Sequence, residues 1–312
     1  MRGAFSEANR QRRTRIPAIA VIFLALTSLA AQAAAAGSTL DRIKTDGKIT
    51  LGYRIDVQPF SYRDRSDKPT GYSVALCQKI ADQVKAELGL STLNVQWVPV
   101  TLADRFSDLQ QGKLDLLCGA DSVTLARRRD VDFSVSIFPG GIGAMLRVDA
   151  APALRDILAE APPPSHPLWR GSPARTFLEK KTFSVVKGTT SESWLAGRLK
   201  EFEIAATVAP VEDYETGIQR VLNGSSDALF ADRATLLAAA QHSSSQAVLD
   251  RLFTYEPFAL ALRRDDDDFR LIIDRTLSRL YRSKEFLSLY TTWFGKPDES
   301  AMTFFRLTAL PD

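Results

Sequence analysis

The feature that most constrains this chain is an alternation of strand and helix periods that runs through two separate series. In the first, the apolar stretch 48–54 reads as a strand, and a helix opened by Gly71-Tyr-Ser73 carries Val74, Leu76, Ile80, Ala81, Val84 and Leu88 on one face. Strand 93–98, a helix over 101–111 capped by Thr101 and stopped at Gly112, and a buried strand 114–118 complete it. The second series has a strand at 182–187, a turn at 188–192, and a helix through Trp194 and Leu199. Strand 206–208, a helix over 214–222 and strand 227–231 follow. Alternation of this kind is α/β layering. Two extended apolar segments, 137–147 with its glycines and 255–263, lie between and after the series and read as strands that cross from one lobe to the other and back. The expected architecture is a two-lobed α/β clamshell with two crossing hinge strands. Its first lobe takes in residues 37–141 and 255–312, and its second residues 142–254. The closing helices, 269–281 and 286–294, carry an apolar stripe of Leu271, Ile272, Thr276, Leu277 and Leu280 expected to pack on the first lobe.

The first 36 residues stand apart. Five arginines precede an apolar run over 16–26, and the small-residue tract 30–36 follows, which is the pattern of a secretory signal peptide with cleavage near Ala33 to Ala36. The apolar core is too short for a membrane span. Without residues 1–36, which hold five arginines and one glutamate, the formal charge of +3 becomes −1. Nothing then favours nucleic acid or a membrane surface as a partner, and a monomer is expected. The two histidines, His166 and His242, and the two cysteines lack ligand spacing, so neither a metal nor another cofactor is expected. An exported chain with an even cysteine count points to one disulfide, Cys77 to Cys118, with two buried thiols as the alternative. Residues 150–176 are rich in Ala, Pro and Arg, and 162–167 reads as a loop.

Polar residues gather at strand ends, where open α/β sheets bind ligands. The run Cys118-Gly-Ala-Asp-Ser-Val-Thr-Leu-Ala-Arg127 sets Ser122 and Arg127 after an apolar strand that Gly119 is expected to break, with Thr124 opening a helical turn. A hydroxyl, a guanidinium and free backbone N–H groups make an oxyanion receptor. Taken alone, Arg127 heads the basic run Arg127-Arg128-Arg129, which reads as a solvated face. Arg54 closes the first strand and Arg105 lies on the first turn of the Thr101 helix. Thr189 and Thr190 sit at a helix N-terminus, as oxyanion donors or as caps. Asp232 closes a strand, where it holds an ammonium or caps the next helix. Together these groups surround an α-amino acid.

The motifs Ser38-Thr-Leu-Asp-Arg-Ile-Lys-Thr-Asp-Gly-Lys48, Pro59-Phe-Ser-Tyr62, Gly71-Tyr-Ser-Val-Ala-Leu-Cys77, Val131-Asp-Phe-Ser134, Lys187-Gly-Thr-Thr-Ser-Glu192 and Leu289-Tyr-Thr-Thr-Trp-Phe294 give the chain its family likeness. It resembles the periplasmic amino-acid-binding proteins of ABC importers, solute-binding family 3, and within them the glutamate/aspartate-binding branch. The resemblance implies a type II periplasmic-binding-protein fold, a periplasmic location and delivery of an amino acid to an ABC permease. It implies that Ser122, Arg127 and Thr189 or Thr190 bind the α-carboxylate, that Asp232 binds the α-ammonium, that Arg54 and Arg105 reach an acidic side chain, and that Cys77 and Cys118 pair. Three positions depart from the branch: Leu102 and Ala120 replace small hydroxyl residues, and Tyr214 replaces a histidine at the side-chain wall. An exported cyclohexadienyl dehydratase-like enzyme on the same scaffold is the rival reading. It needs a cleft acid of raised pKa, for which Glu192 and Asp121 are the nominees.

Overall fold

The computed structural model describes residues 38–159, 172–241 and 243–312. The leader, the proline-rich run 162–167 and both histidines lie outside the described residues.

Two α/β sheets carry the structure. In the first, Asn94–Val100, Lys48–Arg54 and Leu116–Ser122 run parallel, and Glu256–Leu262 joins them antiparallel with Asp132–Phe133 and Phe138–Gly140 on its free side. In the second, Thr207–Val211, Thr182–Val186 and Ala228–Asp232 run parallel, and Ile142–Arg147 adds antiparallel, followed by Gln246–Val248. Each sheet therefore has its first strand flanked by the two that follow in its series, so a crevice opens at the carboxyl ends, where Arg54, Ser122 and Asp232 stand.

The expected crossing strand 137–147 is two short strands, Phe138–Gly140 in the first sheet and Ile142–Arg147 in the second. The segment expected to cross back forms the strand Glu256–Leu262 wholly within the first sheet, so the return from the second sheet falls between Gln246–Val248 and Glu256. Glycine is required where these segments meet. A Cβ on Gly140 would lie 2.2 Å from the Phe258 ring, and one on Gly141 would lie 2.1 Å from the Thr254 carbonyl.

Several boundaries differ from expectation for identifiable reasons. The third strand spans Leu116–Ser122 rather than ending at Cys118, because it pairs both with Leu51 and Gly52 and with Phe258 and Ala259. Gly119 does not break it; a Cβ there would meet the Asp121 carboxylate at 2.8 Å. Asp121 is therefore a buried strand residue. The regular part of the Thr101 helix starts only at Arg105, after a turn over 102–104, while the Thr101 hydroxyl accepts from the Asp104 N–H as a capping residue does and donates to the Asp104 carboxylate. Thr124 opens a single helical turn, its carbonyl accepting from the Arg128 N–H at 3.0 Å and its hydroxyl from the Arg127 N–H at 3.1 Å, and the regular part is only a three-residue 3-10 segment at Arg127–Arg129. So short a turn lends little dipole to an anion. Leu271 is 55% exposed and leaves the stripe, while Ile272, Leu277 and Leu280 are buried. A small sheet of Asp56–Val57, Ser61–Arg63 and Pro69–Thr70 and a last helix, Glu299–Thr308, were not anticipated. Helices Pro152–Ala159 and Pro173–Leu178 lie within the Ala- and Pro-rich stretch.

The first core is aromatic, with Phe60, Tyr72, Phe138, Phe258, Tyr290 and Phe294 in mutual ring contact. Cys77 of the helix Tyr72–Glu87 and Cys118 of the adjoining strand form a disulfide in the same core. The second sheet has its own core around Phe183, Trp194, Phe230 and Phe253.

Candidate functional site

A cavity lies between the sheets. Arg54, Arg105, Ser122, Arg127, Thr189, Thr190, Tyr214 and Asp232, drawn from both sheets, all line it, and so do Leu102 and Ala120. Sequence reasoning missed Glu256, which also lines it.

On the first-sheet side the guanidiniums are buried and held. Arg54, 5% exposed, ends its strand with its backbone N–H donated to the Ser61 hydroxyl at 3.0 Å. Its Nη2 reaches both Asp56 oxygens, at 2.7 and 3.0 Å. Its Nε is buried without a partner among the described residues. Arg105, 4% exposed, donates from Nε to Asp121 Oδ1 at 2.7 Å and from Nη1 to the Leu102 carbonyl. Arg127 donates to the Ser122 carbonyl at 2.8 Å. The Phe106 ring lies under both neighbours, 4.1 Å from the Arg105 guanidinium and 5.5 Å from that of Arg127, a cation–π arrangement. Burial alone would raise the Asp121 pKa, but Arg105, Arg127 and Arg54 together hold it below the usual carboxylate value. Burial lowers the Arg127 pKa, against the pull of Asp121.

On the second-sheet side the helix Thr190–Glu201 begins at the cavity. Its threonine hydroxyls donate inside the protein, Thr189 to the Val186 carbonyl at 2.6 Å and Thr190 to Glu256 Oε2 at 2.7 Å. The first-turn N–H groups of this helix are what it has to offer an anion, since a helix cannot pair them itself. Asp232 takes up one of the two roles left open by the sequence, that of helix cap. Its Oδ1 accepts from the Thr235 N–H at 2.8 Å and caps the helix Arg233–Ala240, while its Oδ2 is buried without a partner among the described residues. Burial pushes the Asp232 pKa up to about 7, with Glu256 adding to the rise and the bonds from Thr235 opposing it. Tyr214, first residue of its helix, packs against the cores of both sheets, and burial with the nearby Asp232 raises its pKa. Glu256 also accepts from Thr254 at 2.9 Å, and the Thr254 hydroxyl accepts from the Ile142 N–H at 3.0 Å. The two crossing segments are thus tied together at the cavity edge.

A strand-end cavity between two α/β sheets, with buried charges of both signs, is a receptor for a small polar solute. The family described as bacterial extracellular solute-binding proteins, family 3, matches residues 49–296. The chain belongs to that family. As a family 3 member it is an extracellular solute-binding protein. It is 29% identical over 290 residues to the glutamate/aspartate import solute-binding protein of Escherichia coli (strain K12), covering 91% of this chain and 89% of that protein. It is also 29% identical over 263 residues to the L-glutamate/L-aspartate-binding protein of Pseudomonas aeruginosa, covering 83% and 80%. Among solved structures, an ancestral amino acid-binding protein described as a precursor of cyclohexadienyl dehydratase superposes with a TM-score of 0.67 at 27% identity, over 82% of this chain and all of that one.

Proposed function

We propose that this family 3 protein captures a free amino acid with an acidic or amide side chain and delivers it to an ABC permease. The lobes divide at 141/142 and at 254/255. The observation that carries this reading is the pair of unpartnered buried atoms on one cavity: Arg54 Nε is a donor that wants an anion, and Asp232 Oδ2 is an acceptor that wants a cation. Leaving such groups unpaired is costly, so a ligand carrying both charges is the natural complement. In this assignment Arg127, Ser122 and the helix start at Thr189 and Thr190 hold the α-carboxylate. Asp232 takes the α-ammonium. Arg54 and Arg105 face the side chain beside Leu102, Ala120 and Tyr214. The glutamate/aspartate import relatives named above support an acidic ligand.

A thermal-shift screen of the purified protein over amino acids and dicarboxylates tests it. A true ligand at a hundredfold excess over its Kd stabilises by about 2.7 kcal/mol. If no α-amino acid shifts the melt, the assignment fails.

One observation favours a second reading. A dehydratase on this scaffold needs a cleft acid able to carry a proton near neutral pH, and Asp232, rather than the expected Glu192 or Asp121, has that character. The likeness to the dehydratase precursor points the same way. Turnover of prephenate or arogenate would establish it in place of transport.

A further inference from the structure

The amino-acid reading leaves one buried charge without a role. Asp121 sits in the wall of the cavity, 6% exposed, on the strand that also supplies Ser122. Its side chain is hydrogen-bonded to Arg105 and not to the groups assigned to the ligand's α-carboxylate or α-ammonium, although the Arg127 charge also acts on it. Its Oδ1 holds Arg105 Nε, and its Oδ2 leans over the bare backbone of Gly119, 2.8 Å from where a Cβ would stand, with the Arg54 chain on the far side of that same point. The cavity lining carries three guanidiniums, Arg54, Arg105 and Arg127, and three carboxylates, Asp121, Asp232 and Glu256. Asp56 pairs with Arg54 from outside. Each of the two arginines assigned to the ligand side chain therefore already has its own carboxylate.

Resting on the amino-acid reading, we infer that Asp121 is the specificity-determining residue of the side-chain end of the cleft: it fixes the Arg105 fork and cancels its charge, so the site accepts a neutral amide side chain nearly as well as a carboxylate. The reason is electrostatic. In a site closed to water, a carboxylate arriving beside Arg105 meets the repulsion of Asp121 at short range, and the attraction of the guanidinium is largely offset. An amide side chain pays no such repulsion and still accepts a hydrogen bond from the Arg105 donors that Asp121 and Leu102 leave free. Asp121 acts through a partner and not by touching the ligand's backbone groups, so changing its charge must alter selectivity more than general affinity.

Calorimetric titration of glutamate and glutamine into the wild type, Asp121→Asn and the double variant Arg105→Gln/Asp121→Asn tests this. The asparagine keeps an oxygen for Arg105 Nε but removes the charge. The glutamate-over-glutamine affinity ratio is expected to rise at least tenfold in Asp121→Asn. It is expected to return within threefold of wild type in the double variant, where the pair is removed as a neutral unit. An unchanged or lower ratio in Asp121→Asn overturns the inference, as does a double variant that departs from the wild-type ratio by more than threefold. The double variant decides alone if the single one does not fold. Failure of the wild type to bind any amino acid is a different result and refutes the amino-acid reading itself.

Discussion

On the first-sheet wall of the cleft each of the three arginines already has a partner inside the protein: Asp56 for Arg54, Asp121 for Arg105 and the Ser122 carbonyl for Arg127. On the second-sheet wall Asp232 spends one oxygen on a helix cap and keeps the other buried and unmatched. The first wall is fixed before any ligand arrives, so little side-chain entropy remains to be lost there on binding. On the second wall burial raises the pKa of that carboxyl, while the first wall keeps one buried donor unmatched, Arg54 Nε, and bonds Arg127 to a neutral carbonyl. A cleft divided this way holds its arginines in place along one sheet and keeps an acceptor for a cation on the other.

The strongest way to break that division is Arg127→Ala. The account expects a loss on the order of 2–5 kcal/mol in binding of every amino acid, the range for truncating one member of a buried charged pair. Arg54→Ala, in contrast, is expected to change the glutamate-to-glutamine ratio first. Equal effects of the two variants in calorimetry would erase the distinction between clamp and side-chain wall.

Reducing the disulfide comes next. Cys77 and Cys118 are 41 residues apart and belong to the first core. Replacing both by serine is expected to lower unfolding stability by about 2–4 kcal/mol in urea melts. Ligand affinity should stay within a fewfold, because the bond braces the organised lobe and touches no cavity group.

Asp232 sharpens the comparison through pH. Its pKa in the ligand-free fold is about 7, above the usual carboxylate value, so the folded protein holds a proton that the unfolded chain has lost. Its contribution to stability is therefore complete below about pH 4 and declines as pH rises to about 7. Melts of wild type and Asp232→Asn across that range should differ by this slope, with the variant flatter. An ammonium bound at Oδ2 favours the ionised carboxyl, so binding at pH 7 should release roughly half a proton, measurable by calorimetry in buffers of different ionisation enthalpy. The smallest effect is expected at Leu271, which is exposed: Leu271→Ser should move stability by no more than about 0.5 kcal/mol.

Much of this was legible in the sequence because it obeyed a period. The apolar runs ending at Arg54 and Asp232 gave the strand ends, and strand ends gave the cavity. The reach of the third strand is not legible because Gly119 looks like a strand terminator, whereas the strand continues to Ser122 by pairing with Phe258 and Ala259, far along the chain. Glu256 left no local signal at all: its contact with Thr190 joins residues 66 apart. The strands at 56–57, 61–63 and 69–70 are too short to show a period. The last helix did carry one, with Asp298 as cap and Ala301 and Phe305 buried one turn apart.

On the proposed reading one ligand bridges Arg127 and Asp232 through its α-carboxylate and α-ammonium. Calorimetric titration with glutamate, with 2-oxoglutarate, which lacks the ammonium, and with 4-aminobutanoate, which lacks the α-carboxylate, tests it most directly. The account predicts that glutamate binds and that each analogue binds at least a hundredfold more weakly; equal binding of 2-oxoglutarate would contradict the role of Asp232, and equal binding of 4-aminobutanoate that of Arg127.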